Sequence, residues 1–187
     1  MSAILEIPEV RRRVSPLTLE EYHRMDEFNK NGRRTELIRG IILEKPIKSP
    51  FHCLITKRLY DLISAVLPPC LMVFQYDPLT LSDSEPEPDI SVVRGTEADF
   101  TAVHPRTAEL VIEVAVSSAL LDREDAALYA EAGVKEYWIA LGNEQTIEVY
   151  RRPLGGRYQE LTTVGLEDTL QCGSIAEIRI PLRELFQ

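Results

Sequence analysis

The chain has 187 residues and a net charge of −9, with 44% hydrophobic and 27% charged residues. That is ordinary globular usage, and it excludes collagen-like, disordered and disulfide-scaffold classes. No apolar run approaches the roughly 18 residues of a membrane span. Three widely spaced cysteines, Cys53, Cys70 and Cys172, argue against a zinc cluster and for a reducing cytoplasm.

The charge is unevenly spread. Residues 1–60 hold 12 Lys/Arg against 8 Asp/Glu, and residues 61–187 hold 9 against 22. An acidic chain is a poor non-specific binder of nucleic acid, because phosphate neutralisation supplies most of that affinity. It can still act on nucleic acid if its basic part lines the approach and a divalent cation masks the acids.

In chain order, residues 1–16 read as an arm, polar and basic from Arg11 to Pro16. Thr18 and Glu21 have capping-box spacing, and Leu19, Tyr22, Met25 and Phe28 give a helix that fades at Asn29–Gly32. TELIRGIILEKP, residues 35–46, reads as a strand pair bent at Gly40 with Ile41 and Ile42 inside. Ser49 and Pro50 open a second helix with an apolar face of Leu54, Leu59, Leu62, Ile63 and Val66, stopped by Pro68-Pro69.

Residues 71–81 read as a strand, edge or bulged because of Pro78. DISVVRG is another, and ELVIEVAVS, residues 109–117, is the strongest, apolar enough for a central strand buried on both faces. A helix capped by Ser117 or Ser118 runs to Ala132 and ends at Gly133. KEYWIAL and TIEVYRR are strands around a turn at Gly142-Asn143, followed by a β segment and a short terminal helix. The order predicts one α/β domain over 17–187 with a central mixed sheet flanked by helices.

The chemistry candidates are carboxylates. Glu113 sits inside an aliphatic strand, where an ionised group is costly unless paired or metal-bound. Asp89 follows Pro88 at the start of a neighbouring strand, and Glu36 lies in TELIRG. Two strands presenting one carboxylate each would make a hard oxygen site for Mg²⁺ or Mn²⁺. His52 opens the second helix and Gln75 lies on the strand before Asp89, so both are near-site candidates. Tyr129, Tyr137 and Trp138 read as a helix–strand core contact. No P-loop, GxGxxG, HExxH or GxSxG pattern occurs.

TELIRGIILEK, SPFH, EPEPDISVV, LVIEVAVSS and DREDAALYAEAGVKEYWIAL, in that order, resemble the Uma2 family (DUF820), a branch of the PD-(D/E)XK nuclease superfamily. The resemblance spans roughly residues 17–150. It implies a restriction endonuclease-like core, a Mg²⁺- or Mn²⁺-dependent hydrolysis of DNA phosphodiesters, and a cytoplasmic homodimer. It makes Asp89 and Glu113 metal ligands, with the Val114 carbonyl completing the set and Glu36 assisting. The chain departs from the family at the catalytic lysine. Ala115 stands where E-x-K would have it, and Asp125 stands at the alternative position on the following helix. Lys45, in the LEK segment after Glu36, is a candidate substitute from another strand, and Arg123 is also near in sequence. A second expectation is a nuclease fold without catalysis, kept to bind nucleic acid or a protein. A two-carboxylate sugar hydrolase is the third.

Overall fold

The computed structural model describes residues 8–11, 13–26, 34–116 and 119–187. The chain divides into two compact units, Met1–Pro46 with Ser82–Pro86, and Ile47–Leu81 with Glu87–Gln187. Among the described residues no helix is long and apolar enough to cross a membrane.

In the smaller unit, α1 (Pro8–Arg11) is a single helical turn within the stretch expected as an arm. The next helix, α2 (Leu19–Asp26), starts at the capping box: Glu21 N–H donates to Thr18 Oγ1 at 3.2 Å and Thr18 N–H to Glu21 Oε2 at 2.8 Å. Phe28 and the Asn29–Gly32 turn lie outside the described residues. Strands β1 (Thr35–Ile38) and β2 (Ile41–Glu44) form the expected hairpin. Its turn is Arg39-Gly40, with φ of +52° and +73°, the mirror-image geometry that matches strand twist. A Cβ at Gly40 would lie 2.4 Å from that of Pro16, so only glycine fits the close pass. Ile41 is exposed, against expectation, and Leu37 is the buried residue of the hairpin. Alternation along β1 turns Leu37 inward, and Leu37 and Glu85 exchange backbone hydrogen bonds that bring residues 82–86 alongside.

The larger unit is a six-stranded mixed sheet in the order β3-β4-β5-β6-β7-β8. Its strands are β3 (Leu71–Gln75), β4 (Ile90–Arg94), β5 (Leu110–Ala115), β6 (Glu136–Leu141), β7 (Thr146–Leu154) and β8 (Arg157–Val164). Only β5 and β6 run parallel, joined through α4 (Leu120–Glu131); the other pairs are antiparallel. As expected, β5 lies inside the sheet and β3 at its edge. The strand expected over 71–81 stops at Gln75, because Tyr76 turns to φ +64° and breaks the ladder.

Helix α3 (Pro50–Ser64) starts as expected: Ser49 Oγ accepts from the His52 N–H at 3.2 Å, and Pro50 occupies the first turn. It ends at Ser64, before the two prolines, and its buried stripe is Ile55, Leu59 and Ile63 at i, i+4, i+8. Leu54 and Val66, expected on that face, are exposed. The stripe packs on Ile90, Val92, Ile112, Val114 and Trp138. Helix α4 covers the other face, which carries Glu113 by strand alternation. Its N-cap is Ala119, with no side-chain cap, and Ser117 and Ser118 lie outside the described residues. Gly133, at φ +75°, ends it as expected, and the Val134 N–H reaches back to the Tyr129 carbonyl at 3.0 Å. A small pair, β9 (Thr169–Gln171) with β10 (Arg179–Pro181), and α5 (Leu182–Phe186) close the α3 side of the core.

Candidate active site

Pairing in β4–β5 matches Ile90 to Ile112, so the next step of the register sets Asp89 against Glu113. Pro88 has no N–H to give a ladder, so strand pairing begins after it, and Asp89 stands immediately ahead of Ile90, the first residue of β4. The two acids are tied through the backbone. Asp89 N–H donates to Glu113 Oε2 at 3.2 Å, and Val114 N–H donates to Asp89 Oδ2 at 2.8 Å. Tyr129, on α4, donates its hydroxyl to Glu113 Oε1 at 3.0 Å. Its ring also meets Tyr137, 4.9 Å between centroids, so the expected core role and a hold on Glu113 coincide.

Asp89 is 3% exposed. Two basic side chains from the start of α3 reach it. Lys48, the residue before the Ser49 cap, forms an ion pair with Oδ1, and His52 Nε2 lies 3.0 Å from Oδ2. The Lys48 ammonium also lies 3.5 Å from the centre of the Tyr76 ring. Below His52, the buried Thr56 hydroxyl donates to the His52 carbonyl at 2.9 Å and sits 3.4 Å from Nδ1. Burial by itself would push the Asp89 carboxyl up. The His52 hydrogen bond and the Lys48 charge outweigh it and hold the group below its ordinary value. Asp89 is therefore a carboxylate with the Lys48 ammonium and the His52 ring placed on it.

The other candidates fall in different places. Gln75 ends β3 across from Ile90, one register step from Asp89. Asp125 is buried on α4; the Tyr137 phenol is pushed well up by its burial, and the charges of Glu113, Asp122 and Asp125 add to this. Glu36 and Lys45 belong to the smaller unit, where they pair with each other at 2.9 Å. The cation on Asp89 is Lys48, which sequence reasoning passed over. It has no motif of its own; the one signal was its place, a lone lysine just ahead of a Ser-Pro helix start that also carries His52. For Val114, the contact to Asp89 is made by the N–H, while the expected role was for its carbonyl.

A divalent ion needs hard oxygen donors, and Asp89 and Glu113 supply them from adjacent strands. Among the described residues no three His, Cys, Asp or Glu side chains gather closely enough to hold a metal by themselves. Mg²⁺ commonly takes only one or two carboxylates and fills its shell with water and phosphate oxygens. A positive group, the Lys48 ammonium, already stands on Asp89 Oδ1. Two carboxylates from adjacent strands are donors of the kind a divalent ion takes.

A mixed sheet with one parallel βαβ crossover, helices on both faces and an acidic pair at the junction of two strands defines a restriction endonuclease-like α/β protein. The Uma2 family model, described as "Putative restriction endonuclease", matches residues 19–183, and the chain belongs to that family. Among solved structures it is similar to a protein from Anabaena variabilis ATCC 29413 described as "a putative nuclease belonging to DUF820". The two are 23% identical over 91% of this chain and 98% of that one, with a TM-score of 0.77, a likeness that shows the fold. No protein of curated function matches the chain.

Proposed function

We propose that the protein is a divalent-metal-dependent endonuclease that hydrolyses DNA phosphodiesters, with Asp89 and Glu113 as the metal-holding acids. The observation that carries this reading is the arrangement at Asp89: a buried carboxylate, linked to Glu113 across β4–β5, with Lys48 and His52 converging on it. A bound Mg²⁺ or Mn²⁺ would supply Lewis-acid polarisation of a phosphate oxygen and a more acidic water. The chain's own residues do the rest. Tyr129 holds Glu113, and the Val114 N–H fixes the Asp89 plane. Lys48 takes the part of the lysine that Ala115 and Asp125 do not provide, placing positive charge where charge builds on the phosphate. Overall, water oxygen bonds to phosphorus, one phosphorus–oxygen ester bond breaks, and one proton passes from the water to the departing sugar oxygen. Cutting both strands calls for two sites, so a homodimer goes with this reading, as does a reducing cytoplasm given three free cysteines.

The test is a calorimetric Mn²⁺ titration of the wild type beside Asp89→Asn, with plasmid nicking assayed in the same samples. Asp89-dependent binding together with nicking is the expected result. Binding that ignores Asp89 overturns the site. A second reading, a nuclease fold kept for DNA binding, is favoured by the acid at position 125, and DNA binding without nicking would select it.

A further inference from the structure

We propose that Lys48 is a tethered cation that occupies the metal's place on Asp89, so that a divalent ion enters by displacing the ammonium and leaves it beside the bound phosphate. This rests on the reading of Asp89 and Glu113 as metal-holding acids. The two oxygens of Asp89 are differently committed. Oδ2 takes the Val114 N–H at 2.8 Å and faces His52 Nε2 at 3.0 Å, whereas Oδ1 is covered by Lys48. A second cation cannot share Oδ1 with an ammonium at contact distance without strong repulsion in a site this poorly hydrated.

The ammonium is held on its other side as well. Tyr76 presents its ring face to Nζ from a backbone at φ +64°, a conformation rarely adopted by a bulky residue. That strain turns the chain away from the β3 ladder immediately beside Asp89, since the Tyr76 N–H donates to the Asp89 carbonyl at 3.3 Å. Carboxylate and ring thus form the two walls of a cation box. A displaced ammonium loses the carboxylate and keeps the aromatic face, which attracts cations without competing for the metal. Lys48 opposes metal binding and assists the reaction, so its removal should move the two in opposite directions.

Two measurements on the full chain decide this. Lys48→Met should bind Mn²⁺ at least about tenfold more tightly than wild type, the scale of removing one adjacent charge, while plasmid nicking falls. In wild type, acetylation of Lys48 by an amine-reactive ester, read by mass spectrometry, should rise when Mn²⁺ is added. In Asp89→Asn, Lys48 should label rapidly with or without the ion. Unchanged or weaker Mn²⁺ binding by Lys48→Met, or Lys48 labelling that stays constant while wild type binds Mn²⁺, overturns the displacement and leaves the two-acid site standing. Absence of Mn²⁺ binding in both proteins overturns the displacement together with the site beneath it. The wild-type labelling with and without Mn²⁺ needs no Lys48 variant, so it decides the matter even if Lys48→Met does not fold.

Discussion

Two buried acids of the larger unit invite comparison, Glu136 at the head of β6 and Asp89 at the head of β4. Both are at most 3% exposed, and both hold a cation. Glu136 Oε1 accepts from Trp138 Nε1 at 2.8 Å and Arg151 Nε at 2.9 Å. Its Oε2 accepts from the Gly173 N–H at 2.7 Å and the Ser174 N–H at 3.3 Å. A Cβ on Gly173 would lie 3.1 Å from that oxygen, so the loop passes as closely as glycine permits. Glu136 staples the loop after β9 to the sheet, taking two backbone N–H groups of that loop on one oxygen and the Trp138 and Arg151 side chains on the other. Asp89 accepts one backbone N–H, from Val114, and its other two partners are the side chains of Lys48 and His52. Burial of an acid marks a cost that the fold has met. Whether the site can do chemistry depends on whether its partners can leave.

The largest expected effect tests the scaffold side. Glu136→Ala should cost about 3–5 kcal/mol in urea unfolding, the range for breaking a buried pair from one side, with Mn²⁺ affinity of the folded protein unchanged. A change in metal affinity would show that the two acids are linked. Asp89→Asn should abolish Mn²⁺ binding and cost about 1.5–3 kcal/mol, as for hydrogen bonds to a charged group. The Lys48 ammonium on Asp89 makes the ionised acid the stabilising form, and a more stable Asp89→Asn apoprotein would contradict the geometry.

The acid limb sharpens the comparison. The folded Asp89 carboxyl lies below its ordinary value, so its ionised form stabilises the fold above the unfolded value near 3.9. That contribution disappears as pH falls through the lower, folded value. Melting curves of wild type and Asp89→Asn should therefore differ most at neutral pH and converge below about pH 4; a constant gap would mean that Asp89 is not the titrating group. Next comes Tyr129→Phe, which removes one hydrogen bond from Glu113 and should cost about 1–2 kcal/mol with a partial loss of nicking. The smallest effect belongs to the exposed pair Arg183–Glu167, where Arg183→Ala should cost less than about 1 kcal/mol by thermal melting. A larger cost would show that exposed pairs matter here as much as buried ones.

Much of the architecture was legible in the chain because its signals are local. Ser49-Pro50 starts α3, Gly133 ends α4, and the aliphatic run at 110–115 is the buried β5. These depend on backbone dihedrals and on water's aversion to apolar surface, which a short window of sequence carries. Where a local rule failed, a long-range contact had decided. Ile41 lost the interior to Leu37 because residues 82–86 lie against β1, and the strand at 71 stops at Tyr76 because the chain turns there beside Asp89.

The site divides in the same way. Sequence by itself determined where the acids stand: Asp89 follows Pro88 just ahead of β4, and the aliphatic neighbours of Glu113 inside β5 make it an acid that must be satisfied. It also determined that no lysine stands at positions 115 or 125. Only the tertiary structure decided which cation meets Asp89. Lys48 is 41 residues away in sequence, and its approach depends on where α3 docks across β4 and β5. A flexible side chain carries no periodic signature, so its partner is set by the packing of the elements at its base, and that packing placed Lys48 on Asp89 and Lys45 on Glu36.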